Sequence, residues 1–475
     1  MADKSAHIRH IPPFPRLSGR LYIFPAFIPM VELLPWLLTA VGALASATQV
    51  AFWRQHRRKL LAVTALCFIA ASAVYGWGLL HKPTEAEGSR MIAAKDLPVL
   101  TVATPVPVAT PSLDKTYDDF AALWTVPTPH ELLSGPVFAG NLVLFGTYDG
   151  AIEARSRGNG ALAWSLQKHE PVFTNAAVHG GMAFVGEGLH TAPAAALTAF
   201  SLPDGKPLWE RQFRSHVESE ATLDPAHDRL WTCAGSEGLW SLDMRDGAVL
   251  WRQKIGHIDA TPLYHEGHIY ASAQPDETKP GSILYALAPD SGAIEWQLPL
   301  PGNTMGSPQV GPEGQILLTT AIGQVGPKVE TDRGWSHAAG RAGKLLWSVK
   351  LPGMPLPEAV VLKDAGLVIH TLKSGEIIAL HTADGKTAWR VKMGAEFDAP
   401  AALNAHTSPP LLGAITAEGT VALLDAEDGT EIRRFNVRQG GYVPLAFDHD
   451  MLYITTPRSI TAYGGLHLLT RGTQK

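Results

Sequence analysis

The sequence predicts an all-β fold: an eight-bladed β-propeller of four-stranded blades, closed by its N- and C-terminal strands and preceded by two transmembrane α-helices. Three observations carry this. Tryptophan recurs at a near-constant interval, a tight-turn phrase precedes it, and two long uncharged segments stand ahead of the repeats.

The tryptophans are Trp124, Trp164, Trp209, Trp251, Trp296, Trp347 and Trp389, with gaps of 40, 45, 42, 45, 51 and 42 residues. A period in this range is one propeller blade, a sheet that cannot bury both faces alone. The phrases read AIEARSRGNGALAW, ALTAFSLPDGKPLW, GLWSLDMRDGAVLW, ILYALAPDSGAIEW and IIALHTADGKTAW. Alternating apolar residues predict a strand. The Asn-Gly, Asp-Gly or Ser-Gly pair predicts a turn with positive φ, and a second strand then carries the tryptophan. The glycines are Gly160, Gly205, Gly247, Gly292 and Gly385, each four residues before its indole.

A further phrase, VALLDAEDGTEIRRF, keeps Gly429 but has Arg433 in the tryptophan position, 44 residues after Trp389. Beyond it MLYITTPRSITAYG supplies strands and no tryptophan phrase, while AALWTVP around Trp124 is an outer strand without a blade. Joining these ends completes an eighth blade and removes the open sheet edges. The expected divisions are a polar tail (1–20), a two-helix membrane anchor (21–80), a Pro/Thr/Ala-rich linker (81–118), the propeller (119–468) and a C-terminal tail (469–475).

The anchor rests on residues 21–53 and 60–80. The second segment is uncharged throughout, and the first is uncharged from Leu33 to Phe52. About 20 apolar residues suffice to cross a bilayer. Between them RQHRRK concentrates Arg54, Arg57, Arg58 and Lys59, a basic loop expected on the cytoplasmic side. Two crossings then put the propeller outside, which is the periplasm of a Gram-negative inner membrane. Glu32 is read as lying at headgroup level. Leu66 precedes Cys67 where a lipid-attachment motif needs a small residue. The linker, without helical periodicity, is expected to be an extended tether.

A net charge of −5 argues against nucleic acid as a partner. The two cysteines, Cys67 and Cys233, fall in a membrane segment and a strand, so no disulfide is expected.

Strand order within a blade (A to D) puts the A–B and C–D loops on one face and the B–C and D–A loops on the other. The C–D turns are short and repetitive. The B–C connections are irregular, as in GEGLHTAPAA, AQPDETKPGS and IGQVGPKVETDRGWSHAAG. The working surface is therefore placed on the B–C and D–A face. Its D–A loops carry His130-Glu131, His169-Glu170, His216-Val217-Glu218 and His257-Ile258-Asp259, and later Glu358, Glu396 and Asp398. These residues are expected to ring the channel mouth. A basic partner segment and a metal ion are both chemically suited to such a rim. No metal or cofactor site is expected, because the residues sit on different blades without tight ligand spacing. His265-Glu266-Gly267-His268 is read as an A–B hairpin turn on the other face. In the longest B–C insertion, Arg333 and Trp335 stand beside Lys328, Asp332 and His337, either as an interface anchor or with the indole folded back over its own loop.

The tryptophan phrase resembles the docking repeat of the quinoprotein (PQQ-repeat) propellers. Among these it is most similar to the BamB-type, cofactor-free eight-bladed propellers. The resemblance covers the repeats and not residues 1–118. It implies three readings: a non-catalytic scaffold or accessory subunit of a membrane protein complex, a PQQ-dependent dehydrogenase, or an outer-membrane protein assembly factor. Quinoprotein dehydrogenases hold their quinone over a ring tryptophan, often against a disulfide of adjacent cysteines, with calcium on Glu, Asn and Asp. This chain has no adjacent cysteines and its blades are minimal. The absence of a lipid-attachment motif departs from the assembly factor. The expected partners are therefore proteins, other subunits of a membrane complex.

Overall fold

The turn phrases fold into the C–D hairpins of eight antiparallel blades. The computed structural model describes residues 89–93, 119–128, 130–190, 192, 194–322 and 333–470. Two units divide the chain, 1–84 and 85–475. The predicted membrane segments, the basic loop, Glu32 and most of the linker lie outside the described residues. Among those described, no helix is long and apolar enough to cross a membrane.

Blade 1 runs Val137–Ala139, Leu142–Gly146, Ala151–Ser156 and Leu162–Gln167. Blade 2 is Ala177–His179, Met182–Gly186, Ala195–Ser201 and Pro207–Phe213. Blade 3 is Thr222–Asp224, Arg229–Cys233, Leu239–Asp243 and Val249–Gln253. Blade 4 is Leu263–His265, His268–Ala273, Ser282–Leu287 and Ile294–Leu300. In blade 5 strand A is split into Asn303–Thr304 and Gln309–Val310, followed by Ile316–Ile322, Arg333–Ala339 and Leu345–Leu351. Blade 6 is Val360–Leu362, Leu367–Leu372, Glu376–His381 and Thr387–Lys392. Blade 7 is Ala402–Asn404, Leu411–Ile415, Thr420–Asp425 and Glu431–Asn436. Blade 8 takes Ala446–Asp448, Met451–Thr456 and Ser459–Gly464 from the C-terminal end and Ala121–Pro127 from the front. That last pairing is the predicted closure.

One device repeats at each junction. A register shift in every C–D pair leaves one extra residue just before the tryptophan position: Leu123, Ala163, Leu208, Leu250, Glu295, Leu346, Ala388 and Ile432. Such bulges bend the strand and re-aim the next side chain. They turn the indole onto the C–D turn of the following blade. The turn glycines have φ near +70°, and a Cβ there would lie within 3 Å of the ring of the preceding blade. Gly160 receives Trp124, Gly205 receives Trp164, Gly247 receives Trp209, Gly292 receives Trp251, Gly343 receives Trp296, Gly385 receives Trp347 and Gly429 receives Trp389. Six indoles also donate Nε1–H to a backbone carbonyl beside that turn, at 2.8–2.9 Å. Among the described residues Trp389 Nε1 has no hydrogen-bond partner.

Arg433 has a physical reason. Blade 8 has no C–D hairpin, because its strands C and D come from opposite ends of the chain, so there is no turn to receive an indole. Phe435 instead packs against Phe120 and Tyr463 with ring centroids 5.8 and 5.6 Å away.

The linker departs from the expected free tether. Arg90–Ala93 forms a fifth strand on blade 2, antiparallel to Trp209–Gln212. Met91 packs on the blade 2–3 core and Ser89 Oγ accepts a 2.9 Å bond from buried Arg211. Arg333 and Trp335 also depart from expectation. They belong to strand C of blade 5, with Trp335 half-buried opposite Thr320 and Lys350, and not to the connecting loop.

Candidate functional site

The D–A loops are tied to the B–C loops by backbone pairs, which confirms that both lie on one face. Leu132 bridges Thr147, Ile258 bridges Gly235, His257 bridges Gln274 and Pro355 bridges Leu372. Near the inner strands a chain of bonds steps from blade to blade. Gly135 N–H donates to Asn175 Oδ1, Glu220 N–H to Thr261 Oγ1, Thr261 N–H to Ser307 Oγ and Ser307 N–H to Glu358 Oε1, at 2.8–3.4 Å. Burial of Glu220 pushes its carboxyl up to about 7.

The predicted acidic rim is divided into local sets. Glu131 is half-buried and its carbonyl accepts the Tyr148 N–H at 2.8 Å. Glu170 is half-buried over Glu187, whose Oε2 accepts the Glu170 N–H at 3.4 Å. Glu358 is exposed, holds a left-handed φ of 65° and accepts the Ser307 hydroxyl at 2.8 Å. Glu396 is exposed, and Asp398 forms an ion pair with Lys373. Beside these acids the same face exposes three aromatics: Tyr148 (56%), Phe173 (43%) and Tyr442 (57%). They sit on the B–C loop of blade 1 and on the D–A loops leaving blades 1 and 7.

Glu218 and Asp259 enter a different set. The expectation that separation over blades keeps the histidines and acids apart fails. His190, from the B–C loop of blade 2, joins His216 and His257 from two successive D–A loops, and all three turn Nε2 toward Asp259. His216 Nε2 lies 2.8 Å from Asp259 Oδ1, His257 Nε2 2.9 Å from Oδ1, and His190 Nε2 3.2 Å from Oδ2. The other nitrogen of two rings meets a carboxylate: His190 Nδ1 is 2.8 Å from Glu218 Oε1 and His257 Nδ1 is 3.3 Å from Glu277 Oε1. The His190 and His216 rings stack with centroids 4.6 Å apart. His216 is buried, and a Cβ at Gly235 would sit 2.8 Å from its Cε1, so that glycine leaves the ring its space. Burial alone would raise the Asp259 carboxyl, but hydrogen bonds from the three imidazoles outweigh it and hold it well below the usual range. Asp259 and Glu218 in turn push His190 up to about 10, and Asp259 raises His257. Sequence reading noted His216, His257, Glu218 and Asp259 but not their convergence with His190. The only signal was a lone histidine in an irregular loop.

Beneath this face two buried ion networks lock loops to blades. Lys168 Nζ reaches Thr198 Oγ1 at 2.7 Å, Glu210 Oε2 at 2.5 Å and Glu187 Oε1 at 3.5 Å. Burial raises the Glu187 carboxyl against the pull of Lys168. In blade 3 Arg252 pairs with Glu237 at 3.2 Å and stands 4.3 Å over the Trp240 ring.

The family model for outer membrane protein assembly factor BamB matches residues 116–298 and 332–431, more than half of the chain. The chain belongs to the BamB family. BamB of Yersinia pestis is 25% identical over 190 residues, which is 38% of this chain and 46% of that protein. BamB of Alkalilimnicola ehrlichii is 24% identical over 215 residues, 40% of this chain and 50% of its own length. The chain thus spans about half the length of the curated relatives it matches. The crystal structure of BamB from Moraxella catarrhalis superposes with a TM-score of 0.53 at 16% identity, over 73% of this chain and all of that one. The quinohemoprotein alcohol dehydrogenase ADHIIG of Pseudomonas putida HK5 gives 0.53 at 11% identity, over 73% of this chain and 76% of its own. At these identities the structures show the fold alone. Within the BamB family, the blade tryptophans and docking glycines are this chain's scaffold.

Proposed function

We propose that the chain is a non-catalytic, membrane-anchored propeller that binds other proteins in the periplasm, as an accessory subunit of a membrane protein complex. One observation carries the reading: exposed Tyr148, Phe173 and Tyr442 share the loop face with Glu131 and Glu170. Aromatics that project from rigid loops beside acids are suited to anchor a partner and to select a basic one. Family membership supports protein binding. The relatives are named as outer membrane protein assembly factors, and the same role is an alternative for this chain. Segments 21–53, uncharged from Leu33 to Phe52, and 60–80, uncharged throughout, support an inner-membrane anchor instead of a lipid anchor.

The test is capture of co-purifying proteins by the full chain in mild detergent. Tyr148→Ala with Phe173→Ala, and separately Glu131→Lys with Glu170→Lys, are expected to lower capture at least tenfold while the melting temperature stays unchanged. Undiminished capture by both pairs overturns the reading, and so does quinone-dependent turnover of alcohols by the purified protein.

A further inference from the structure

We infer that His190, His216, His257 and Asp259 form a binding site for one divalent transition-metal ion, with zinc the ion its donors suit best. The four donor atoms lie within 4.8 Å of one another. Three imidazoles and a carboxylate are a donor set that zinc takes in four-coordinate geometry. Bonds of about 2.0–2.1 Å space such donors roughly 3.3 Å apart, so a ring movement of about 1 Å closes the site.

The surroundings are those of a built site. Histidine ligands commonly present one ring nitrogen to the metal and the other to a carboxylate. Here Glu218 hydrogen-bonds Nδ1 of His190, and Glu277 is a charged neighbour of His257 Nδ1 without a hydrogen bond to it, while both Nε2 atoms face the centre. Three of the four donors are on backbone held by other loops. His257 exchanges both backbone bonds with Gln274 at 2.8 and 2.9 Å, Ile258 N–H donates to Gly235 O at 3.1 Å, and Val217 N–H donates to Glu187 O at 3.0 Å. His190, from the B–C loop of blade 2, is the exposed ligand of the four. Binding would therefore clamp the B–C loop of blade 2 onto the D–A loops that leave blades 2 and 3, stiffening that sector of the loop face. This site shares no residue with the partner surface at Tyr148 and Phe173.

Full-length protein stripped with a chelator is titrated with zinc chloride alone, with bound metal measured by elemental analysis and affinity by competition with a chromophoric chelator. One equivalent per chain is expected, together with a rise in melting temperature. His190→Ala and His257→Ala should each weaken binding at least tenfold. Glu218→Gln should weaken it by about ten- to a hundredfold. His227→Ala, on the opposite face, should leave it unchanged. His190 is exposed, so its variant keeps the test valid if a substitution at buried His216 fails to fold. Absence of stoichiometric zinc in the wild type, or undiminished affinity in both the His190 and His257 variants, overturns the inference.

Discussion

His337 and His370 are buried on neighbouring strands of blades 5 and 6, and burial pushes both down to about 4, with mutual repulsion adding to the effect at His370. Thr320 donates its hydroxyl to Pro301 O at 2.5 Å, so His337 Nε2–H donates to Thr320 Oγ1 at 2.9 Å. His370 Nε2 bonds the Ser336 hydroxyl at 2.9 Å. The folded state thus keeps both rings neutral, while the unfolded chain protonates them near its ordinary value of about 6.5. Stability is full above that pH and falls between about 6.5 and 4, by up to ~1.4 kcal/mol per pH unit per histidine. In urea unfolding from pH 7 to 4, His370→Asn is expected to flatten this slope by about one proton; a slope equal to wild type would refute the assignment. Docking makes a second residue-scale prediction. A Cβ at Gly205, where φ is +68°, would lie 2.7 Å from the Trp164 ring. At Gly180, in the same blade with φ +57°, it would meet nothing within 4 Å. Gly180→Ala should cost about 1–2 kcal/mol for the left-handed backbone. Gly205→Ala should cost visibly more, and equal losses in denaturant titration would show that the indole contact adds nothing.

At the scale of the element, the bulge before each tryptophan explains exposed leucines that would otherwise look like a sticky surface. Leu123, Leu208, Leu250 and Leu346 are the extra residues of their strands, and each is exposed. The LW pairs were visible in the sequence, but period-2 alternation cannot show where a register breaks. The strand Arg90–Ala93 was hidden for another reason. Four residues in a Pro/Thr/Ala-rich run carry no pattern, and their pairing depends on an open edge at Pro207–Phe213 more than a hundred residues on. A chain starting at residue 95 should melt a few degrees below one starting at residue 86, because it uncovers Arg211 and removes Met91 from its cluster. Equal melting temperatures would mean that the strand contributes nothing.

At the scale of the molecule, seven indole–glycine junctions and one aromatic junction at Phe435 close the ring. Strand Ala121–Pro127 supplies both the outer edge of blade 8 and the indole that docks on blade 1. Removing it opens two edges at once, a configuration prone to pairing with other chains. A chain starting at residue 130 is expected to aggregate or to lose cooperative unfolding, as followed by light scattering and tryptophan emission; a monomer with an unchanged transition would show that closure is dispensable.

The sequence by itself determined the ring, its blade count, its closing strand and which face carries irregular loops. These depend on local chemistry repeated at a fixed period: alternating strands, left-handed glycine turns and one indole per blade. Tertiary structure alone decided that His190, His216 and His257 meet at Asp259. Ligands 26 and 41 positions apart have no spacing signature, and only the stacking of successive blades brings a B–C loop beside two D–A loops. It also moved Trp335 into a strand and pinned the linker to blade 2, because both placements depend on backbone partners distant in the chain.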